Sequence, residues 1–407
     1  VSELPRTLQG EPSAAAPWCR LWRQHHRRCQ VVVLLAATDT AAVEGISAAG
    51  ASAAARRTTA AADAELLQLG PAVPLPHALP PLPAGVSPAL IAQVALAGLG
   101  LRPLIVDLGC AVAPAVPHLR LPSPAGAGPA RCLSGGRAMA PDRVEALLEQ
   151  GRRWGQRLAA GRVGSPGRPL LLAECVPGGT TTAQAVLTGL GIDAGGIVSG
   201  SLHRPAHALK ADLVARGLAA SGLNTAIPPD PVRLLAALGD PMQPLAVGLL
   251  LAAVACGQPV LLAGGSQMAA VLALALALAP PPERQRLVEL AAVGTTAWVA
   301  SEADSDLALL LRRIGRRWGV APLGFAASLR FSGPYHPALV DYERGYVKEG
   351  VGAGGLAILW ELAGRSPAEL AAACERACLD LLGAPRSPAA CPLTAGTGPS
   401  PSESPDA

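Results

Sequence analysis

Four short apolar runs constrain the fold of this chain more than any other feature: "QVVVLLAATDT" at 30–40, "PLIVDLGC" at 103–110, "PLLLAEC" at 169–175 and "PVLLAGGS" at 259–266. Each ends in small or polar residues. A strand that is apolar throughout, rather than at every second position, needs cover on both faces, which a sheet between two layers of helices provides. Longer helical patterns separate the runs, among them 142–161 ("DRVEALLEQGRRWGQRLAAG") and 233–257 ("RLLAALGDPMQPLAVGLLLAAVACG"). The alternation predicts a three-layer α/β/α, doubly wound, mainly parallel sheet, with a smaller helical subdomain from the chain ends. In such a sheet the active crevice lies beyond the carboxyl ends of the strands.

Composition agrees with a large buried core. Half of the 407 residues are apolar, 15% are charged, and there are only six Trp, three Tyr and two Phe, so small aliphatic side chains must fill the interior. A net charge of +4, with much of the excess in "RLWRQHHRR" near the start, argues against nucleic acid as a partner. The nine cysteines are scattered and mostly sit inside apolar stretches, the pattern of reduced core thiols, which fits a cytoplasmic protein. Residues 1–29 lack the apolar core of a secretory signal; a basic transit peptide is the other reading of that stretch. The most membrane-like window, 244–265, is split by Gly257, Gln258 and Pro259 into a helix and a strand, each too short to span, so no membrane association is expected.

Pro/Gly/Ala stretches at 71–88 and 111–130 read as loops. The expected domains are a variable N-terminal extension (1–29), the α/β domain (30–365), a C-terminal helix (366–384) and a disordered Pro/Ser-rich tail (385–407).

Two turns concentrate the polar chemistry. In "ECVPGGTTTA" (174–183), Glu174 ends a strand and Gly178, Gly179, Thr180, Thr181 and Thr182 open a helix. Unpaired N–H groups at a helix start, approachable over glycine, make a phosphate or carboxylate cradle; an ordinary Gly/Thr-capped turn is the alternative. No Gly-Lys-Ser/Thr follows, which excludes a Walker A loop, and "GLGIDA" at 189–194 ends a helix rather than following a strand, which makes it a poor dinucleotide fingerprint. In "DYERGYVKEGVGAGG" (341–355), Glu349 stands beside glycines, where burial can raise a carboxylate to general-base strength; a solvated Lys348–Glu349 pair is the plainer reading. Between the turns, Lys210 opens a helix and can supply a counter-charge. His203 and His207 have i, i+4 spacing, but Pro205 lies between them and no metalloprotease acid is present, so no metal site is expected. Cys374 and Cys378 are two residues on one helix face.

The order of these motifs resembles the nicotinate-nucleotide:dimethylbenzimidazole phosphoribosyltransferase family of cobalamin lower-ligand assembly, in its archaeal and cyanobacterial branch, collinearly over about 30–365. The residues that carry the resemblance are "AATDTAAVEGISAAG" with Asp39, Gly45, Ser47 and Ala48, "IVDLG" with Asp107, "GGRAMAPDRVEALLEQG", "AECVPGGTTTA", Lys210 and "KEGVGAG". The family's Asp-Gly-Phe turn is here "AGGSQM", and its His-Gly after the early aspartate is "TAA", so the accepting base is left open. The resemblance implies transfer of ribose 5-phosphate from nicotinate mononucleotide to an aromatic nitrogen base such as dimethylbenzimidazole, with no cofactor or metal, in a homodimer. It implies Glu349 as general base and Glu174 as its backup or as a ribose ligand. It further implies Gly178, Gly179, Thr180, Thr181, Lys210, Gly350 and Gly352 around phosphate and ribose, and Asp39, Ser47 and Met242 in the base pocket. Asp240 and Gln243 are expected near the same crevice. A non-catalytic nucleotide- or corrinoid-precursor-binding protein on the same fold is the alternative.

Overall fold

The computed structural model of the chain describes residues 5–159, 168–223 and 229–383. The tail expected at 385–407 lies outside the described residues. The four apolar runs form β2 (Gln30–Leu35), β3 (Pro103–Asp107), β5 (Leu170–Cys175) and β6 (Val260–Ala263), joined by β1 (Arg6–Gln9), β4 (Leu119–Arg120), β7 (Ala291–Thr295) and β8 (Leu323–Ala326). They make one sheet in the order β1-β8-β7-β6-β5-β2-β3-β4, parallel throughout except for β1, which runs antiparallel to β8 at the edge.

Both faces of the central strands are buried, as continuous apolar runs require. Val32, Leu34, Leu170 and Leu172 face one helical layer, while Val31, Val33, Leu35, Leu171 and Ala173 face the other. The first layer packs backbone to backbone: the helices Pro141–Ala159 and Met242–Ala255 meet through Gly151 and Gly248, where an added Cβ would strike the facing main chain. The stretch 233–257, read as one helix, is two, Pro231–Leu238 and Met242–Ala255. Pro241 cannot continue a helix, and Asp240 Oδ1 instead accepts from Met242 N at 3.0 Å at the start of the second.

The first and last described helices pack on the other face. Residues 1–29, set apart in the sequence reading, supply β1 and the helix Pro12–His25, whose Trp18 stacks on Trp22 and on Phe325 of β8. The helix Pro367–Gly383 packs on Ala89–Leu99 and buries Cys374 and Cys378. All eight cysteines among the described residues are free. Also among the described residues, no helix is long and apolar enough to cross a membrane; the window at 244–265 is a buried helix followed by β6.

Strand order decides where a site can form. From β5 the chain moves toward β6, β7 and β8, and from β2 toward β3 and β4, so β2 and β5, adjacent and parallel, mark the switch point at which the connecting segments part. Crevices open beyond the carboxyl ends of such strands.

Candidate active site

Beyond the ends of β5 and β6 lies a cavity of about 610 Å³. One part of its wall is polar: Glu174 at the end of β5, Gly178–Thr180, Ser199–Ser201, and Gly265–Gln267 after β6. The helices Gly179–Gly189 and Ser266–Leu278 both begin there, and Gly178 takes the left-handed conformation (φ 80°) that turns the strand into the first of them. The first N–H groups of each helix have no acceptor within it, so two partial positive charges face one space. Another part of the wall is apolar, formed by the loop from Val73 to Val86, by Val347 and Val351, and by Leu381 and Leu382 of the last helix. That loop is tied down. Buried Glu65 accepts from His77 N at 2.7 Å, Gly85 N donates to Asp341 at 2.9 Å, and the Tyr342 hydroxyl donates to Val86 O at 2.8 Å.

Glu349 enters the wall from a strained turn. Val347, Lys348 and Val351 have φ of 62°, 35° and 53°. Lys348 N donates to Tyr346 O at 2.6 Å and Glu349 N to Val347 O at 2.5 Å, two successive three-residue turns of the rare positive-φ kind. Positive φ is costly for valine, and strain of this sort persists only where neighbours hold it. They do so here: Lys348 Nζ lies 2.7 Å from Glu302 and 2.6 Å from Leu202 O, and Thr296 Oγ1 donates to Lys348 O at 2.6 Å. The Glu349 carboxylate then accepts four hydrogen bonds, from Gly350 N (3.1 Å), Gly354 N (3.2 Å), Thr295 Oγ1 (2.9 Å) and Thr296 N (2.9 Å). Burial outweighs these donors and raises its pKa to about 7.

Glu174 is more deeply buried, 4% exposed, and accepts from Val176 N at 3.0 Å. Burial, then the charges of Asp240 and Glu349, push it up to about 8, so at neutral pH it is mostly the acid and can donate. Gln267, whose side chain bonds Glu174, leaves Oε1 without a partner in the cavity wall. Gly179 passes so close to the Gln267 amide that an added Cβ would have to displace it.

A third acid, absent from the sequence reading, joins them. Asp63, on the helix Thr59–Leu69, lines the cavity at 3% exposure. Its Oδ1 accepts from Ser87 Oγ at 2.5 Å and its Oδ2 from Cys175 Sγ at 3.3 Å, and burial raises it to about 6. A lone Asp on an otherwise alanine-rich buried helix ("TAAADA") is the signal that sequence offers for it.

Of the residues read from sequence, Glu174, Gly178, Gly179, Thr180, Glu349, Gly350 and Ser47 line this cavity, Ser47 through a 3.1 Å bond to Ser201. Seven do not, and the physical reasons differ. Lys210 is fully buried and spends its ammonium on Ser199 O at 2.7 Å, so it supports the wall from behind; burial lowers its pKa to about 7. Thr181 points its hydroxyl into the core, where it has no partner. Gly352 packs its backbone on Ala173 of β5. Asp39 is exposed on a smaller cavity of about 300 Å³ beside Arg56 and Arg57. Met242 is core, and Asp240 and Gln243 are fully buried, with Asp240 accepting from Thr182 Oγ1 at 2.5 Å. His207 meets Asp304 O at 2.6 Å and His203 packs edge-on against Tyr346; no group of three potential metal ligands occurs among the described residues.

Comparison with known proteins adds a family. Residues 88–285 match a family model described as Phosphoribosyltransferase. A UPF0284 protein of Prochlorococcus marinus (strain MIT 9313) is 54% identical over 330 residues, 79% of each chain, and one from Gloeobacter violaceus is 47% identical over 312 residues, 76% of this chain and 77% of that one. The crystal structure of CobT from Thermus thermophilus shares the fold, with a TM-score of 0.51 at 20% identity over 93% of this chain and 96% of that one. A second structure from that organism, titled as nicotinate-nucleotide-dimethylbenzimidazole phosphoribosyltransferase, gives the same figures.

Proposed function

The chain belongs to the UPF0284 family and carries a phosphoribosyltransferase module, and from that premise we propose that it moves ribose 5-phosphate from nicotinate mononucleotide to an aromatic nitrogen base. The products are an α-linked ribotide and free nicotinate. In this reading the phosphate sits where the helices beginning at Gly179 and Ser266 converge, since helix N-termini attract anions and glycine admits them closely. The ribose lies against Glu174, which donates as the neutral acid, and Gln267, whose free Oε1 accepts from a hydroxyl. The base occupies the apolar part of the cavity.

As the bond from the sugar C1 to the nicotinate nitrogen breaks, its electron pair returns to the pyridine ring and C1 gains oxocarbenium character. The incoming nitrogen attacks the opposite face and gives up the proton on its ring to Glu349. Of the four donors on that carboxylate, Thr295 Oγ1 is the one able to rotate and make room on Oε2. The observation that carries the reading is Glu349 itself, an acid held by a strained turn in the wall of the cavity with a basicity near 7.

The test is nicotinate release from the mononucleotide with a panel of benzimidazoles, phenols and adenine. Release is expected with at least one base, rising with pH through about 7 as Glu349 ionises. Glu349→Gln should lower turnover by about 10²- to 10⁴-fold with little change in mononucleotide affinity. Binding of the mononucleotide without release by any base would leave a binding protein in place of an enzyme.

A further inference from the structure

The transfer reading gives no task to Asp63. Its carboxylate belongs to the cavity wall, yet it lies outside every motif that carries the family resemblance. It is placed by packing: the helix Thr59–Leu69 runs beneath the cavity, and Asp63 meets Ser87, just before the helix Ala89–Leu99, and Cys175, at the end of β5. Ser87 precedes Pro88, whose ring faces Gly350 beside Glu349. Ser87 and Pro88 continue the apolar loop that ends at Val86, so Asp63 and Ser87 stand beside the part of the cavity where the base is placed.

The hydrogen-bond inventory there is one-sided. Ser87 gives its hydroxyl proton to Asp63 and uses one lone pair on Ala89 N at 3.2 Å, which leaves one lone pair and no donor. Each Asp63 oxygen receives one donor and retains acceptor capacity. Thr59, one turn earlier on the same helix, also lines the cavity but gives its hydroxyl proton to Ala49 O, and the nearby Leu75, Leu79, Val86, Val347 and Val351 are apolar, so no free donor meets Asp63 from these residues. A base that presented only methyl groups here would leave a buried carboxylate facing hydrocarbon, which is unfavourable unless a donor meets it.

We propose that Asp63 and Ser87 form an acceptor-only subsite that selects an amino-substituted nitrogen heterocycle, the exocyclic N–H donating to Asp63 while the ring nitrogen opposite attacks the sugar. This deepens the transfer reading and rests on it for the identity of the compartment as a base site. Asp63 here is a specificity residue; Glu349 remains the proton acceptor.

The test is equilibrium binding of matched bases to the full-length chain in the presence of nicotinate mononucleotide: purine against adenine, and 5-methylbenzimidazole against 5-aminobenzimidazole. The amino member of each pair should bind at least about tenfold tighter, the ratio expected for one hydrogen bond to a charged acceptor. Asp63→Asn, nearly identical in shape, should shrink that preference and favour hypoxanthine, whose carbonyl accepts from the amide. Asp63→Leu should abolish it. Because the wild-type comparison needs no mutant, a variant that fails to fold does not remove the test. Equal binding within each pair, or an amino preference unchanged in Asp63→Asn, overturns the proposal. Amino-selective binding without nicotinate release would retain the subsite while the transfer reading fails; release with indifferent binding would do the reverse.

Discussion

Replacing Glu174 by Gln tests the electrostatics of the cavity directly. The carboxyl is 4% exposed, and burial with two neighbouring acids lifts its pKa from 4.5 to about 8. The folded chain therefore holds a proton on this side chain that the unfolded chain has already released, throughout the range between those values. Folding stability falls with pH wherever the native state binds more protons. At about 1.4 kcal/mol per pKa unit the full difference reaches about 5 kcal/mol once both states are ionised, and relaxation around the buried charge reduces it to about 2–5 kcal/mol. Glutamine carries no charge at any pH and still accepts from Val176 N, so the variant escapes this decline. Urea unfolding of both proteins from pH 5 to pH 9 should show curves that diverge as pH rises, the variant gaining about 2–5 kcal/mol relative to wild type across that window. A constant gap would mean that Glu174 ionises as freely folded as unfolded, and its role as a neutral donor to ribose would fall with that result.

Two further substitutions probe how Glu349 is held. Gly354→Ala would drive a methyl into the Thr295–Thr296 backbone, 2.5 Å from Glu349 Oε2, so it should destabilise the fold by about 1–3 kcal/mol and lower turnover, seen in thermal unfolding and nicotinate release. Gly135→Ala, with open space around it, is the control and should change neither. Glu302→Gln should cost about 3–5 kcal/mol by stranding buried Lys348. The double variant Glu302→Gln/Lys348→Met should recover much of that loss in urea unfolding, and failure to recover would mean that the ion pair does not anchor the strained turn.

How far the fold can be read from sequence depends on how each element announces itself. β2, β5 and β6 are legible because both of their faces are buried and their apolar runs are uninterrupted, and β3 because its run is apolar although Leu104 stays exposed. β7 is not, since "AAVGT" follows the helix Pro281–Leu290 with no turn residue between and is made of small residues that suit either structure. β1 and β8 are four residues each, too short for a period to register. The break at Gly239–Pro241 is visible as a proline, but the apolar residues on either side suggest a single helix. In the site, the turns at Glu174–Thr180 and Lys348–Gly350 can be picked out because each gathers its chemistry within a few neighbouring residues. Ser87 and Asp63 are harder to find, because each comes alone from a separate element and only the lone acid in "TAAADA" hints at Asp63, while Gln267 lies in the "AGGSQM" turn without being singled out within it. Lys210 reads as a counter-charge facing the crevice because a lysine is usually exposed; the structure buries it because the Ser199 carbonyl and nearby Glu302 compensate its charge.

Sequence alone determined the layered sheet, the crevice at its carboxyl edge, and the two glutamates that flank it, because hydrophobic period and turn chemistry are local properties of a chain. Which other acids share that crevice, which way Lys210 points, and that Val347 and Lys348 are bent against their own preference were decided by tertiary structure. Those outcomes follow from burial and from partners more than a hundred residues away, as between Asp63 and Cys175 or Lys348 and Leu202. The pKa values that make the glutamates useful belong to the same class, since desolvation exists only once the core has closed around them.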